Sequence, residues 1–86
     1  MTPPAVVLLV EDSDLTREVL ADVLREEGGF LVVEAASAAE GVALLENRPD
    51  IAALVADVGL PDLSGVAFAR LARERRVGLP IVLVSG

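Results

Sequence analysis

Three carboxylates carry the chemistry this sequence offers. Asp57 stands at the end of an apolar run, residues 51–56, and the chain leaves it through Gly59, Pro61 and Gly65. Glu11 and Asp12 stand together at the end of another apolar run, residues 5–10. Like charges about 5 Å apart, at an effective dielectric of about 20, repel by about 3 kcal/mol per pair. A small domain has only about 5–15 kcal/mol of net stability, so a site gathering all three acids must offset that repulsion. Protonation is one way. A site lined only with oxygens suits a hard divalent cation better, Mg2+ first, and the chain has no Cys or His to suggest zinc. A carboxylate beside such an ion can attack phosphorus, because charge is neutralised on both the attacking and the phosphoryl oxygens. Ser85, at the end of the run over residues 80–84, offers a hydroxyl for a phosphoryl oxygen. Taken alone, an Asp after a strand is more often a solvated turn residue or a helix cap. The acidic pair after the first run and the Pro61-x-x-x-Gly65 loop argue for more than that.

The elements that must position these groups follow from the apolar pattern. Runs over residues 5–10, 30–35, 51–56 and 80–84 are rich in Val, Ile or Leu and short enough for strands. Between them lie helical spacings. Leu15, Val19, Leu20, Val23 and Leu24 form one stripe, opposite Arg17, Glu18, Asp22 and Arg25, with Ser13 or Asp14 as cap and Gly28-Gly29 as stop. Ser37-Ala38-Ala39-Glu40 is a capping box for a second helix, which Asn47-Arg48-Pro49 ends. A third helix is expected over residues 66–75, with Phe68 and Leu71 inward. Asp62 and Ser64 read as loop and cap residues, and Arg70, Arg73, Arg75 and Arg76 as one solvated face. The order βαβαβαβ implies an α/β fold, a parallel sheet with helices on both faces. In such sheets functional groups gather beyond the carboxyl ends of the strands. If the strands take the flavodoxin-like, doubly wound order 2-1-3-4, the first and third are neighbours and Glu11, Asp12 and Asp57 converge on one spot.

Composition narrows the classes. Eighty-six residues make one small domain, and with only two aromatics its core must be built from Val, Leu, Ile and Ala. The formal charge is −7, and all seven basic residues are Arg, with no basic stripe. That argues against direct binding of nucleic acid. The run over residues 5–10 is far shorter than the roughly 18 residues of a membrane span. No signal peptide opens the chain and no cysteine is present, which together suit a cytoplasmic protein.

Val7-Leu8-Leu9-Val10-Glu11-Asp12, then Asp57-Val58-Gly59-Leu60-Pro61-Asp62-Leu63-Ser64-Gly65, then Pro80-Ile81-Val82-Leu83-Val84-Ser85-Gly86 resemble the receiver domain of bacterial two-component response regulators. The resemblance implies that Asp57 is the phospho-acceptor, taking a phosphoryl group from a sensor histidine kinase or phosphotransfer protein with Mg2+ as cofactor. It makes Asp12 a direct Mg2+ ligand, Glu11 a ligand mainly through water, and the Gly59 carbonyl a further ligand. Ser85 becomes the switch hydroxyl, and Pro61 and Gly65 shape the loop over the site. Such a protein signals and is not an enzyme in the turnover sense.

The family pattern extends further than the matching residues. A fourth helix, fifth strand and fifth helix have no counterpart in residues 1–86, and the active-site Lys that the family carries near its fifth strand is absent. The domain is therefore expected to be a C-terminally incomplete receiver over residues 1–86. Residues 81–84 are expected to form a bare apolar edge, which disfavours a well-behaved monomer and invites a homodimer through that edge. The competing readings are a receiver-like interaction scaffold not controlled by phosphorylation and an aspartyl-nucleophile phosphohydrolase. The second wants Asp-x-Asp, where this chain has Gly59.

Overall fold

The computed structural model describes residues 2–85; Met1 and Gly86, the ends of the expected domain, lie outside the described residues. Alternation of short apolar runs with amphipathic segments gives β1 (Val6–Val10), α1 (Asp14–Glu26), β2 (Leu31–Ala35), α2 (Ala38–Asn47), β3 (Ile51–Asp57), α3 (Gly65–Arg75) and β4 (Ile81–Val84). All pairings are parallel, and the strand order is β2-β1-β3-β4. This is the expected flavodoxin-like order. From β1 the chain moves to one side for β2, then returns across the sheet for β3 and β4. Right-handed crossovers in opposite directions put α1 on one face and α2 with α3 on the other.

The central strand β1 is buried along its whole length, as a strand covered on both faces must be. The main core lies under α2 and α3. Val6, Leu8 and Val10 meet Ile51, Leu54 and Ala56 of β3, with Leu45 and Phe68 packed over them. Phe68 is fully buried, and its ring explains a glycine inside a helix. A Cβ on Gly41 of α2 would stand 2.7 Å from the Phe68 ring, so α2 approaches α3 only because that atom is missing.

The α1 face is thinner. Ala21 is buried and Leu20 and Leu24 are half-buried, but Leu15, Val19 and Val23 are 73%, 53% and 50% exposed. The apolar stripe read from sequence therefore splits. It spans too wide an arc for one helix–sheet contact, and only the Leu20–Ala21–Leu24 side reaches the strands. The basic face of α3 splits too. Arg70 and Arg73 are exposed, Arg75 pairs with Glu46 at 3.1 Å, and Arg76 turns inward to donate to the Ile51 carbonyl at 2.6 Å.

Candidate phospho-acceptor and metal site

The pairing of β1 with β3 aligns Val10 with Ala56, so the residues that follow this pair, Glu11 after β1 and Asp57 at the last position of β3, stand side by side. Glu11, Asp12 and Asp57 are the result. One carboxylate oxygen from each lies within 4.8 Å of the other two. Glu11 is buried, Asp12 exposed and Asp57 half-buried, which grades the pocket from sheet to solvent.

Glu11 is the buried charged residue of the core, 6% exposed. Burial holds its carboxyl above the usual range, and Asp12 and Asp57 push the same way, against the Ser13 amide that donates to its Oε2 at 2.9 Å. Its backbone is fixed as well. The Glu11 amide donates to the Ala35 carbonyl at 3.0 Å, and Arg17 Nη1 donates to the Glu11 carbonyl at 2.8 Å. Arg17 is itself held by Asp14 at 2.7 Å and lies 3.5 Å from Glu34. Sequence placed Arg17 on the polar side of α1 without this role, because its target is a backbone carbonyl six residues back.

Asp57 closes β3, and its Oδ1 accepts from the Gly59 amide at 3.3 Å. The loop then folds on itself. Gly59 bridges Ser64, and the Gly65 amide donates to the Val58 carbonyl at 2.8 Å. Gly65 has no room for a side chain, since its Cβ would lie 2.6 Å from Val58 Cα. Ser64 caps α3 by accepting from the Ala67 amide, as expected from sequence. Pro61 is exposed on the loop, whereas Leu60 is buried beneath it. On the far side, β4 aligns Val84 with Asp57, and Ser85 follows, exposed, one strand over from the acids.

Asp62 does more than expected. Its two carboxylate oxygens accept from the amides of Ala38 and Ala39, at 3.0 and 2.9 Å, across 24 and 23 residues of chain. Those amides hold the Asp62 carboxyl below its usual range. Sequence carries no signal for a cap that comes from so far away.

The donor set fits a hard cation: three carboxylates, with no His or Cys in the chain, share one pocket whose mutual repulsion is unrelieved by any nearby Lys or Arg side chain in ion-pair contact among the described residues. A doubly wound α/β domain with an acidic pocket at the carboxyl ends of its first and third strands is the class defined by this geometry. The family model of the response regulator receiver domain matches residues 7–86, and the chain belongs to that family. It is 39% identical over 83 residues to the transcriptional regulatory protein PdtaR of Mycobacterium tuberculosis, covering 95% of this chain and 39% of that protein. The chain thus spans well under half the length of such curated relatives. A response regulator receiver protein from Pseudomonas putida superposes with a TM-score of 0.88 at 30% identity, over 100% of this chain and 71% of that one. A chain of the CheX–CheY–BeF3–Mg2+ complex from Borrelia burgdorferi superposes with a TM-score of 0.88 at 27% identity, over 95% and 62%.

Proposed function

We propose that Asp57 accepts a phosphoryl group from a sensor histidine kinase or phosphotransfer protein and that this controls a signalling output. The convergence of Glu11, Asp12 and Asp57, with oxygens within 4.8 Å of one another, carries the reading. An Asp57 oxygen attacks phosphorus, the P–N bond to the donor imidazole breaks, and an acyl phosphate forms as the imidazole takes up a proton. Mg2+, held by Asp12 and Asp57 with the Gly59 carbonyl and with Glu11 through water, would neutralise charge on the attacking and phosphoryl oxygens. In this reading the Gly59 amide on Oδ1 steadies Asp57, and Ser85, which follows Val84 opposite Asp57, donates its hydroxyl to a phosphoryl oxygen. The structural relative crystallised with BeF3 and Mg2+ supports the choice of ion. No helix among the described residues is long and apolar enough to cross a membrane. Exposed Val82 and Leu83 on the edge strand β4 support pairing with a second copy.

The test is acetyl phosphate consumption by the full chain. Consumption is expected only with Mg2+, lost with EDTA, greatly slowed in Asp12→Asn and abolished in Asp57→Asn. Consumption that survives both EDTA and Asp57→Asn contradicts the proposal. Continuous turnover of unrelated phosphate esters would favour the phosphohydrolase instead.

A further inference from the structure

Gly59 has little to hold it. It is exposed, and a side chain built on it would meet nothing within 4 Å, so packing does not fix its place. The β3–α3 loop that carries it, residues 58–64, is located by its hydrogen bonds, among them the Val58 amide to the Val84 carbonyl of β4 at 3.0 Å, and by Leu60, buried, and Leu63, packed on the core. The Gly59–Ser64 bridge and the bond from the Gly65 amide to the Val58 carbonyl close the loop on itself. They set its shape but do not tie it to the neighbouring helix. Among the described residues the hydrogen bonds that tie it to α2 are those from the Ala38 and Ala39 amides to Asp62.

These bonds give α2 a second cap. Ser37 already accepts from the Glu40 amide at 3.2 Å, and Glu40 Oε2 accepts from the Ala36 amide. An N-cap side chain satisfies one of the four orphan amides at a helix start. Ser37 takes that of Glu40, and Asp62 takes those of Ala38 and Ala39 from the loop beyond the acceptor. Pro61, immediately before it, limits the backbone freedom with which Asp62 could swing away.

We propose that Asp62 is a positioning residue for the acidic pocket: by binding the first two amides of α2 it fixes the β3–α3 loop, and with it the Gly59 carbonyl that completes the metal site. The inference rests on the reading of the pocket as a Mg2+-dependent phospho-acceptor site. Outer residues that orient a ligand typically cost a factor of about 10–100 in metal affinity when removed, and an effect at the low end, roughly tenfold, is expected here.

Two measurements on the full chain test it. The first is amide hydrogen exchange without metal, comparing wild type with Asp62→Ala. Faster exchange at Gly59 and Gly65, whose amides are bonded within the loop, is expected, and acceleration confined to Ala38 and Ala39 would reduce Asp62 to a helix cap and overturn the proposal. The second is the Mg2+ dissociation constant by calorimetry. Asp62→Ala should bind roughly tenfold more weakly, with Asp62→Asn, which keeps one acceptor oxygen, falling between. Acetyl phosphate uptake at saturating Mg2+ should recover in both variants, a pattern that general loss of structure does not give. An unchanged constant in Asp62→Ala overturns the proposal. If wild type binds no Mg2+, or Asp12→Asn binds it equally well, the site reading itself fails and the positioning role falls with it, whatever the exchange shows about the loop.

Discussion

Asp57 and Gly59 lie two residues apart, and their contrast decides how long a phosphoryl group would last. Asp57 is half-buried and accepts the Gly59 amide, while Gly59 is exposed with open space where a side chain would stand. If Asp57 carries an acyl phosphate, as proposed, the empty position at Gly59 is expected to leave it open to water. Gly59→Arg should lengthen its lifetime severalfold, by occupying that space and ordering the approach; equal lifetimes in a phosphate-release assay would contradict this. At this scale much was legible. The meeting of Glu11, Asp12 and Asp57 could be read because two apolar runs each end in acids and the expected strand order makes those runs neighbours, as the pairing of β1 with β3 has it. The roles of Arg17 and Asp62 could not, because their partners are backbone groups: a carbonyl for one, and amides more than twenty residues away for the other. Residue type says that such side chains can form hydrogen bonds, and only the fold says to what.

Among the elements, α2 shows how local and distant signals combine. Ser37 caps it as its sequence indicates, whereas Glu40 reaches back to the Ala36 amide, one residue beyond the expected box. Asp62 adds a pH-dependent component. Its carboxyl sits below the usual value of about 4 because the α2 amides favour its charged form. The stabilisation is therefore fully present above the ordinary carboxylate value and is lost as pH falls through the lower value of folded Asp62. Asp62→Asn should flatten this part of the acid limb in denaturation curves recorded at successively lower pH. An acid limb identical to wild type would contradict the assignment. Helix α1 was less legible: its apolar residues cover so wide an arc that spacing alone did not tell Leu20 and Leu24, against the sheet, from Leu15, Val19 and Val23, in solvent.

For the molecule as a whole, the alternation of four apolar runs with three helical segments implied a parallel sheet, whereas the order β2-β1-β3-β4 is one of several that such an alternation allows and is fixed by the pairings. The same topology leaves apolar surface open. Val82 and Leu83 lie exposed on edge strand β4. Beside them a groove of about 340 Å3 is lined by Val66, Ala69, Ile81 and Leu83, rimmed by Arg70 and Arg73. On the opposite face Leu15, Val19 and Val23 add a second exposed row. Surface of this kind, next to unpaired strand amides and carbonyls, favours association. The 86-residue chain should sediment with a weight-average mass that rises with concentration. Replacing Val82 with Lys on the edge should suppress the rise, and a monomer mass constant across concentrations would contradict the expectation. The central claim concerns one atom group, however, and intact mass tests it most directly. After incubation with Mg2+ and acetyl phosphate, wild type should gain the mass of a single phosphoryl group and Asp57→Asn should gain none. A wild-type mass that does not change, or an equal gain in Asp57→Asn, would contradict the assignment of Asp57 as the phospho-acceptor.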